Sequence, residues 1–365
     1  MPLLNVEHPS ALRGYGMAVA VATAVGLTSL LFAVLWDLPL RDPEGFLGPS
    51  YVRLPAVVAI VLVLDVLPRA VMRGGLGRGL VPATVQVARE RWSWRRLSVV
   101  ATGLLSFYVT YVGYRNLKSF LPFIRTDRVD DELERIDLWL TGGVQPAQLL
   151  HDLLGTGITP HVLSWVYLLF LLFVPFSLAV ALVWNDNVSH GTWYVTALCL
   201  NWALGVVSYY LLPSMGPVYE QTWTFWGTLL PPTETAEMQR SLMQSRWLVL
   251  DDPHATERVH SIAAFASLHV SIVFSALLIV LKMHWHVLVK AVMWLYFVLT
   301  VIATIYFGWH YIVDDIAGLG IGALSVWLGA RATGQHRPPQ SPLVPVQEKR
   351  AAEPPLPVGS TTVGS

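Results

Sequence analysis

The sequence predicts an all-α polytopic membrane protein, a helix bundle with about eight transmembrane helices. Of its 365 residues, 54% are hydrophobic and only 13% are charged. The apolar residues form runs of about 20, the length that an α-helix needs to cross roughly 30 Å of hydrocarbon. Lys+Arg and Asp+Glu balance at 24 each, so the net charge indicates neither nucleic acid nor an acidic partner. The single cysteine, Cys199, excludes an internal disulfide framework.

Eight apolar runs are candidate transmembrane helices. They cover residues 16–36, 53–68, 97–114, 161–184, 192–212, 267–282, 288–307 and 311–330. Pro55 and Pro68 bracket the second run tightly. The first run is interpreted as a span and not as a removable signal, because Glu7 precedes it and no small-residue cleavage site follows a short apolar segment.

A basic segment between the second and third runs predicts the orientation of the chain. Only one acidic residue, Glu90, accompanies its arginines, which are Arg69, Arg73, Arg78, Arg89, Arg91, Arg95 and Arg96. The positive-inside rule places such a segment in the cytoplasm. Counting spans outward from it predicts cytoplasmic N- and C-termini. The loops at 37–52, 115–160 and 213–266 then face outside, and the expected location is the cell (cytoplasmic) membrane.

The same pattern predicts three regions. Residues 1–96 form an N-terminal two-span region with a basic cytoplasmic loop, and residues 97–332 form a membrane core with an outer cap at 213–266. Within the core, the mixed charge and apolar residues of 115–160 indicate a helix along the membrane interface. The prolines of the cap predict order with little regular structure. Residues 333–365 are expected to be a disordered, Pro-rich cytoplasmic tail.

Two histidine motifs begin two of the predicted spans. They read FASLHVS, residues 265–271, and YFGWHYIVDDIAG, residues 306–318. His269 starts the sixth span and His310 starts the eighth, and with one helix between them both spans run in the same direction. Both histidines should therefore reach the same outer face. Polar groups at membrane depth are costly and often mark function, although helix ends reduce that cost.

The residues around each histidine favour phosphate chemistry. His310 and Asp314 share a helix face, so the carboxylate can accept a hydrogen bond from one imidazole nitrogen and leave the other for a nucleophile or general base. Ser267 and nearby free backbone N–H groups would form an anion site at a helix N-terminus. His269 beside it could protonate a departing oxygen. The same residues also fit a capped helix and an interfacial histidine held by a helical neighbour.

The two motifs resemble motifs two and three of the type 2 phosphatidic acid phosphatase superfamily. These motifs are Ser-x-His and, some 40 residues later, Tyr-x-Gly-x-His-Tyr-x-x-Asp. Leu268 replaces the glycine that the phosphatases usually have, and Thr304 stands where the third motif has an arginine. Both departures, and the stretch YYLLPSMGPVY at 209–219, are typical of the inositol phosphorylceramide synthase-like (inositolphosphotransferase) branch. The similarity covers roughly residues 110–330.

The resemblance implies a superfamily-like core and a phosphohistidine mechanism that needs no metal and no cofactor. His310 would attack the phosphorus of a lipid phosphoester, Asp314 would orient it, and His269 would protonate the leaving oxygen. The family's first motif, Lys-x6-Arg-Pro, is absent, and Ala266 replaces the usual proline before Ser267. Other cations must therefore bind the phosphate. The candidates are Lys118, Arg115 and Arg258, although residues such as Arg115 and Lys118 also serve as headgroup anchors.

The expected function is therefore the cleavage or transfer of a lipid phosphoester at the outer membrane face. The substrate would be a phospholipid or a polyprenyl phosphate. The acceptor is either an alcohol, such as a polyol or sugar, as in the inositolphosphotransferase branch, or water, as in a lipid or polyprenyl phosphate phosphatase. A non-catalytic transporter or scaffold is the alternative from another class, and a transporter would be expected to show broken helices or internal repeats.

Overall fold

Helices form nearly all of the regular structure in the computed structural model, which describes residues 13–335 except 43, 46–47, 185–187, 221–229 and 284. The α-helices are α1 Gly16–Leu35, α2 Ser50–Gly74, α3 Leu80–Arg91, α4 Trp94–Ile124, α5 Asp130–Leu140, α6 Pro146–Leu154, α7 Thr159–Val183, α8 Val188–Leu211, α9 Glu234–Asp251, α10 Leu268–Lys282, α11 Val287–Tyr306 and α12 Ile312–Ala332. Glu44–Gly45 pairs with Gly48–Pro49 as a short antiparallel ribbon. The predicted all-α membrane fold is confirmed.

Eight of these helices correspond to the eight predicted spans. Within the described residues, seven are long and apolar enough to cross a membrane, namely α1, α2, α4, α7, α8, α11 and α12. The eighth, α10, has only 15 residues and is about 22 Å long, so it is shorter than the hydrocarbon core. Most of its residues are buried by other helices, and its N-terminus can therefore lie below the membrane surface.

Helix α4 extends ten residues beyond the predicted end of the third span, to Ile124. Its polar residues are tolerated because the bundle supplies partners for them. The Asn116 side chain, for example, accepts a hydrogen bond from the Arg41 backbone N–H at 2.8 Å and donates to the Arg41 carbonyl at 2.7 Å. This extension carries Arg115 and Lys118 into the interior of the protein.

The prediction of little regular structure in the cap was wrong. Helix α9 spans 18 residues, and its N-cap Thr233 accepts a hydrogen bond from the Ala236 N–H at 3.2 Å. Glu234 and Glu237 lie in its first turn, where the helix dipole favours negative charge. Thr235 at the same end donates its N–H to the Ser164 hydroxyl of α7 at 3.1 Å, so the cap helix is attached to a membrane helix.

The segment at 115–160 and the basic segment also contain helices that the sequence pattern did not separate. Two short helices, α5 and α6, follow α4 where a single interfacial helix was predicted. Helix α3 lies in the predicted basic loop and is attached to α2 through the buried Asp65. That carboxylate accepts hydrogen bonds from Arg91 at 3.0 Å and from the Trp92 indole at 3.3 Å.

Two glycines allow α10 and α12 to approach closely. A Cβ atom at Gly318 would lie 2.4 Å from the Ser267 carbonyl oxygen, and one at Gly322 would lie 2.7 Å from that of Ser271. Small residues at such a spacing are a common means of close helix packing in membranes. The Ser267 N–H also donates to the Asp314 carbonyl at 3.0 Å, so the two helices begin side by side.

Replacing Gly318 by valine should displace α12 from α10, because the added side chain would overlap backbone atoms and cannot be relieved by a rotamer change. We expect a cost of about 1–3 kcal/mol, seen as a clear fall in the Tm of the detergent-solubilised protein followed by tryptophan fluorescence. Gly320→Val is the matched control, since a Cβ at Gly320 meets no atom within 4 Å. Equal Tm values for the two variants would contradict this packing.

Candidate active site

Two histidines from separate helices line one cavity. His269 lies in the first turn of α10 and His310 immediately precedes α12. Their ring centroids are 6.1 Å apart. The cavity has a volume of about 180 Å³ and is bounded largely by aromatic side chains, among them Tyr114, Tyr209 and Trp309. The close contact between α10 and α12 therefore brings both imidazoles to the same end of the bundle.

Asp314 engages one nitrogen of His310. Its Oδ2 lies 3.3 Å from His310 Nδ1 and also accepts the Tyr311 N–H at 3.0 Å, while the carboxylate is fully buried. The imidazole also contacts the Ala264 carbonyl and lines the cavity. Burial lowers the pKa of His310 to about 3, and the positive charge of Lys118 adds to this effect, whereas the Ala264 carbonyl opposes it. The imidazole is therefore neutral at physiological pH, as a nucleophile requires.

Aromatic rings hold His269. Its imidazole stacks on Tyr167 with the ring centroids 4.5 Å apart, and the Phe170 ring lies 4.2 Å away on a tilted approach. Tyr167 in turn stacks on Trp309, which directly precedes His310. Among the described residues we find no hydrogen bond to the His269 imidazole. Its orientation is thus set by packing, and its nitrogens remain available to a molecule in the cavity.

Two cations on α4 face the same cavity. Arg115 and Lys118 are three residues apart and so lie on one side of the helix. Arg115 Nη2 donates to the Ser261 hydroxyl at 2.8 Å, and Lys118 Nζ lies 4.8 Å from the centroid of the Tyr209 ring. No carboxylate of the described residues lies within 4.0 Å of either cation. Both positive charges are therefore held by uncharged groups, which favours the binding of an anion.

Two further candidate residues lie elsewhere. Ser267 is fully buried as the N-cap of α10 and accepts the Val270 N–H at 3.5 Å. Its own backbone N–H donates to the Asp314 carbonyl at 3.0 Å. Arg258 is exposed on the cap and donates to the Ser245 hydroxyl at 3.1 Å. Neither residue lines the cavity, so the structure brings together only His269, His310, Arg115 and Lys118, with Asp314 behind them.

Two acidic residues of α5 fix the backbone beside His310. Asp130 Oδ1 accepts hydrogen bonds from the Gly216 N–H at 3.0 Å and from the Tyr311 hydroxyl at 3.2 Å. Asp137, two turns later, accepts the Ile312 N–H at 2.9 Å. The sequence pattern missed them as site residues. The feature of the sequence that could have identified them is their spacing of seven within DDELERID, which places both carboxylates on one helix face.

Thr304 provides a further local contact. It occupies the position where the resembled third motif has an arginine, and its hydroxyl donates to Asp315 Oδ2 at 2.9 Å. Asp315 also accepts a hydrogen bond from the Ser267 hydroxyl. Thr304 therefore joins the end of α11 to the first turn of α12, and neither it nor Asp315 lines the cavity.

The helices thus form an intramembrane cavity lined by two histidines and two cations that no carboxylate of the described residues compensates. Such a site is suited to bind a phosphate group. The chain belongs to the PAP2 superfamily, whose family model matches residues 131–328, which is more than half of the sequence and includes all of α6 to α11 and most of α12. Members of this superfamily are generally phosphatases, so the protein is a phosphatase-type enzyme for lipid phosphoesters. No curated protein and no solved structure matches the chain.

Asp137 should make stability depend on pH. Burial raises its pKa to about 6, partly opposed by the hydrogen bond from Ile312. A raised folded-state pKa stabilises the protein at pH values below the unfolded pKa of about 3.9, and this stabilisation is lost as the pH rises through 6. Asn keeps an acceptor for the Ile312 N–H but does not ionise. The Tm of Asp137→Asn minus that of the wild type should therefore increase between pH 4.5 and 7. A difference that is independent of pH would contradict this.

Proposed function

We propose that the protein cleaves or transfers a lipid phosphoester through a phosphohistidine intermediate on His310. The observation that carries the proposal is the convergence of His269, His310, Arg115 and Lys118 on one cavity. A phosphate among these groups would be bound by two cations and would lie within reach of both imidazoles. Superfamily membership supports the reaction class.

The first half-reaction is a displacement at phosphorus. His310 Nε2 attacks, a P–N bond forms, and the P–O bond to the leaving group breaks. Protonated His269 donates its proton to the departing oxygen, and the negative charge of the bound phosphate favours this protonated form. Asp314 stabilises the positive charge that develops on His310, while Arg115 and Lys118 bind the non-bridging oxygens.

The second half-reaction releases the phosphate from His310. Water or an alcohol attacks phosphorus, His269 accepts the proton of the attacking hydroxyl, and the P–N bond breaks. The enzyme returns to its starting state with a protonated His269 and a neutral His310. With a monoester donor, attack by water gives inorganic phosphate and attack by an alcohol gives a new phosphomonoester. With a diester donor, water gives a phosphomonoester and an alcohol gives a new phosphodiester.

Two positions favour transfer to an alcohol, as in the inositolphosphotransferase-like branch. Leu268 replaces the usual glycine, lines the cavity and packs on Gly205, where an added Cβ would lie 2.6 Å from a Leu268 methyl group. Thr304 replaces the usual arginine and binds Asp315 instead of phosphate. We therefore propose a phospholipid or polyprenyl phosphate donor and a polyol or sugar acceptor. Hydrolysis by the same site is the second candidate, since water is smaller than either acceptor.

We also propose that the cavity opens to the outer face of the cytoplasmic membrane. The basic segment around α3 supports a cytoplasmic position for the opposite end of the bundle, and it carries the exposed Arg89. In this proposal residues 97–332 are the catalytic core and residues 1–96 a separate two-span region. The tail proposed for 333–365 lies outside the described residues from 336 onward.

Loss of His310 should abolish turnover, because it removes the proposed nucleophile. We expect His310→Ala and His269→Ala to lower kcat by at least 100-fold on radiolabelled lipid phosphates, with EDTA present throughout. Lys118→Gln should mainly raise KM. Added polyols or sugars should divert label from free phosphate to a phosphate ester of the acceptor in the wild type. Turnover of a short-chain lipid phosphate supplied to sealed right-side-out vesicles tests whether the cavity opens to the outer face.

Arg258→Gln is the matched control for Lys118→Gln, since it removes the same charge from the exposed cap. It should keep the wild-type KM. Equal turnover by the wild type, His310→Ala and His269→Ala would remove the enzymatic proposal. Turnover that produces only free phosphate with every acceptor would support hydrolysis instead of transfer.

A further inference from the structure

A second, smaller cavity adjoins the first. Its volume is about 30 Å³, room for one small polar group, and the two cavities share Met215 and Ile262 in their linings. Its polar lining is dominated by basic side chains, which are Arg125, Arg128, Arg246 and His260. None of these residues belongs to the proposed phosphoryl-transfer site.

The arginines of this cavity differ in how their charges are compensated. Arg125 binds Asp127 at 2.6 Å and Arg128 binds Glu220 at 2.7 Å, so both are neutralised by carboxylates. Arg246 of α9 has no carboxylate within 4.0 Å among the described residues. Its Nη1 atom instead lies 3.1 Å from His260 Nε2. Arg246 thus brings a positive charge to the cavity that no ion pair cancels.

His260 is an uncharged partner for Arg246. It is only 1% exposed, and burial lowers its pKa well below the usual value, an effect strengthened by the charges of Arg246, Lys118 and Arg115. Its backbone N–H is fixed by the Ser119 hydroxyl at 3.1 Å. A neutral imidazole can accept a hydrogen bond from the guanidinium and orient it, but leaves the positive charge available.

Arg115 in the first cavity is likewise held by a neutral hydrogen-bond acceptor. Ser261, the next residue, accepts a hydrogen bond from Arg115, so two consecutive residues present neutral acceptors to two arginines in adjoining cavities. Arginines that serve only packing are normally paired with carboxylates when they are partly buried. Two arginines held by neutral groups, one in each cavity, instead suggest two anionic groups on one ligand or on two ligands bound side by side.

We propose that the second cavity is an anion subsite in which Arg246 binds a second acidic group, a phosphate or carboxylate, on the headgroup of the lipid donor or on the acceptor. This inference rests on the proposed function for the identity of the reaction, but the binding of an anion does not. Arg246 can offer two N–H donors to such a group in a fork, a geometry that suits phosphate and carboxylate oxygens.

The direct test measures the binding of inorganic phosphate to the detergent-solubilised protein by calorimetry. The Lys118→Gln background removes one of the two cations of the first cavity and so reduces the contribution of that cavity to the signal. Adding Arg246→Gln to it should weaken phosphate binding roughly tenfold or more, the effect expected for losing a charged hydrogen-bond pair. The matched control is Arg240→Gln, which removes an exposed arginine of the same helix that lines neither cavity.

Kinetics identify the source of the acidic group. One arm compares a lipid phosphate with a lipid that carries an additional phosphate monoester on its headgroup, and the other compares a polyol with the corresponding polyol phosphate as acceptor. For each arm, the kcat/KM of the compound with the additional phosphate is divided by that of the compound without it. In the arm that supplies the group, Arg246→Gln should lower this ratio about tenfold, whereas Arg240→Gln should keep the wild-type ratio.

The outcomes separate the subsite from the enzymatic proposal. A wild type that turns over no lipid phosphoester would refute the proposed function, and the phosphate titration would still test the subsite. Phosphate binding only as an adventitious ion, equally tight in the Arg246→Gln and Arg240→Gln proteins, would overturn the subsite. Weaker binding in Arg246→Gln alone supports it. An unchanged kcat/KM ratio in both arms would overturn the assignment to donor or acceptor.

Discussion

The site depends on the close contact between the first turns of α10 and α12. Gly318 and Gly322 allow the two backbones to approach, and the Ser267 N–H bonds to the Asp314 carbonyl at the point where both helices begin. This contact joins the two histidine motifs directly. It explains how His269 and His310, 41 residues apart, come to face one cavity. A helix as short as α10 also allows the cavity to lie below the level reached by the longer helices.

Uncompensated positive charge is the second feature that unifies the site. Arg115, Lys118 and Arg246 are held by a hydroxyl, an aromatic ring and an imidazole, respectively, rather than by carboxylates. Partly buried cations without counter-ions are unfavourable in a medium of low dielectric constant, and an anionic ligand relieves this cost. The acidic residues nearby serve a different purpose. Asp130 and Asp137 bind backbone N–H groups and fix the chain on either side of the cavity.

Much of the membrane architecture could be predicted from sequence because hydrophobic length is a local property. The eight apolar runs and the helical spacing of His310 and Asp314 are examples, and the motif spacing was sufficient to recognise the superfamily. Contacts between residues that are far apart in the sequence could not be predicted in this way. Apart from their spacing of seven, nothing local distinguishes Asp130 and Asp137 from surface acids, and the prolines near the start of the cap concealed the helix-forming stretch that becomes α9. The exposure of Arg258 could not be predicted either, because its position depends on how the cap folds over the bundle.

In the proposed mechanism, His310 becomes covalently phosphorylated during turnover. The most direct measurement is rapid quenching of the enzyme with a ³²P-labelled lipid phosphate under alkaline conditions, followed by peptide mapping of the label. We expect an acid-labile phosphoramidate on the peptide that contains His310, formed and lost at rates compatible with kcat. Sustained turnover of the lipid without label on His310 at any quench time would contradict it.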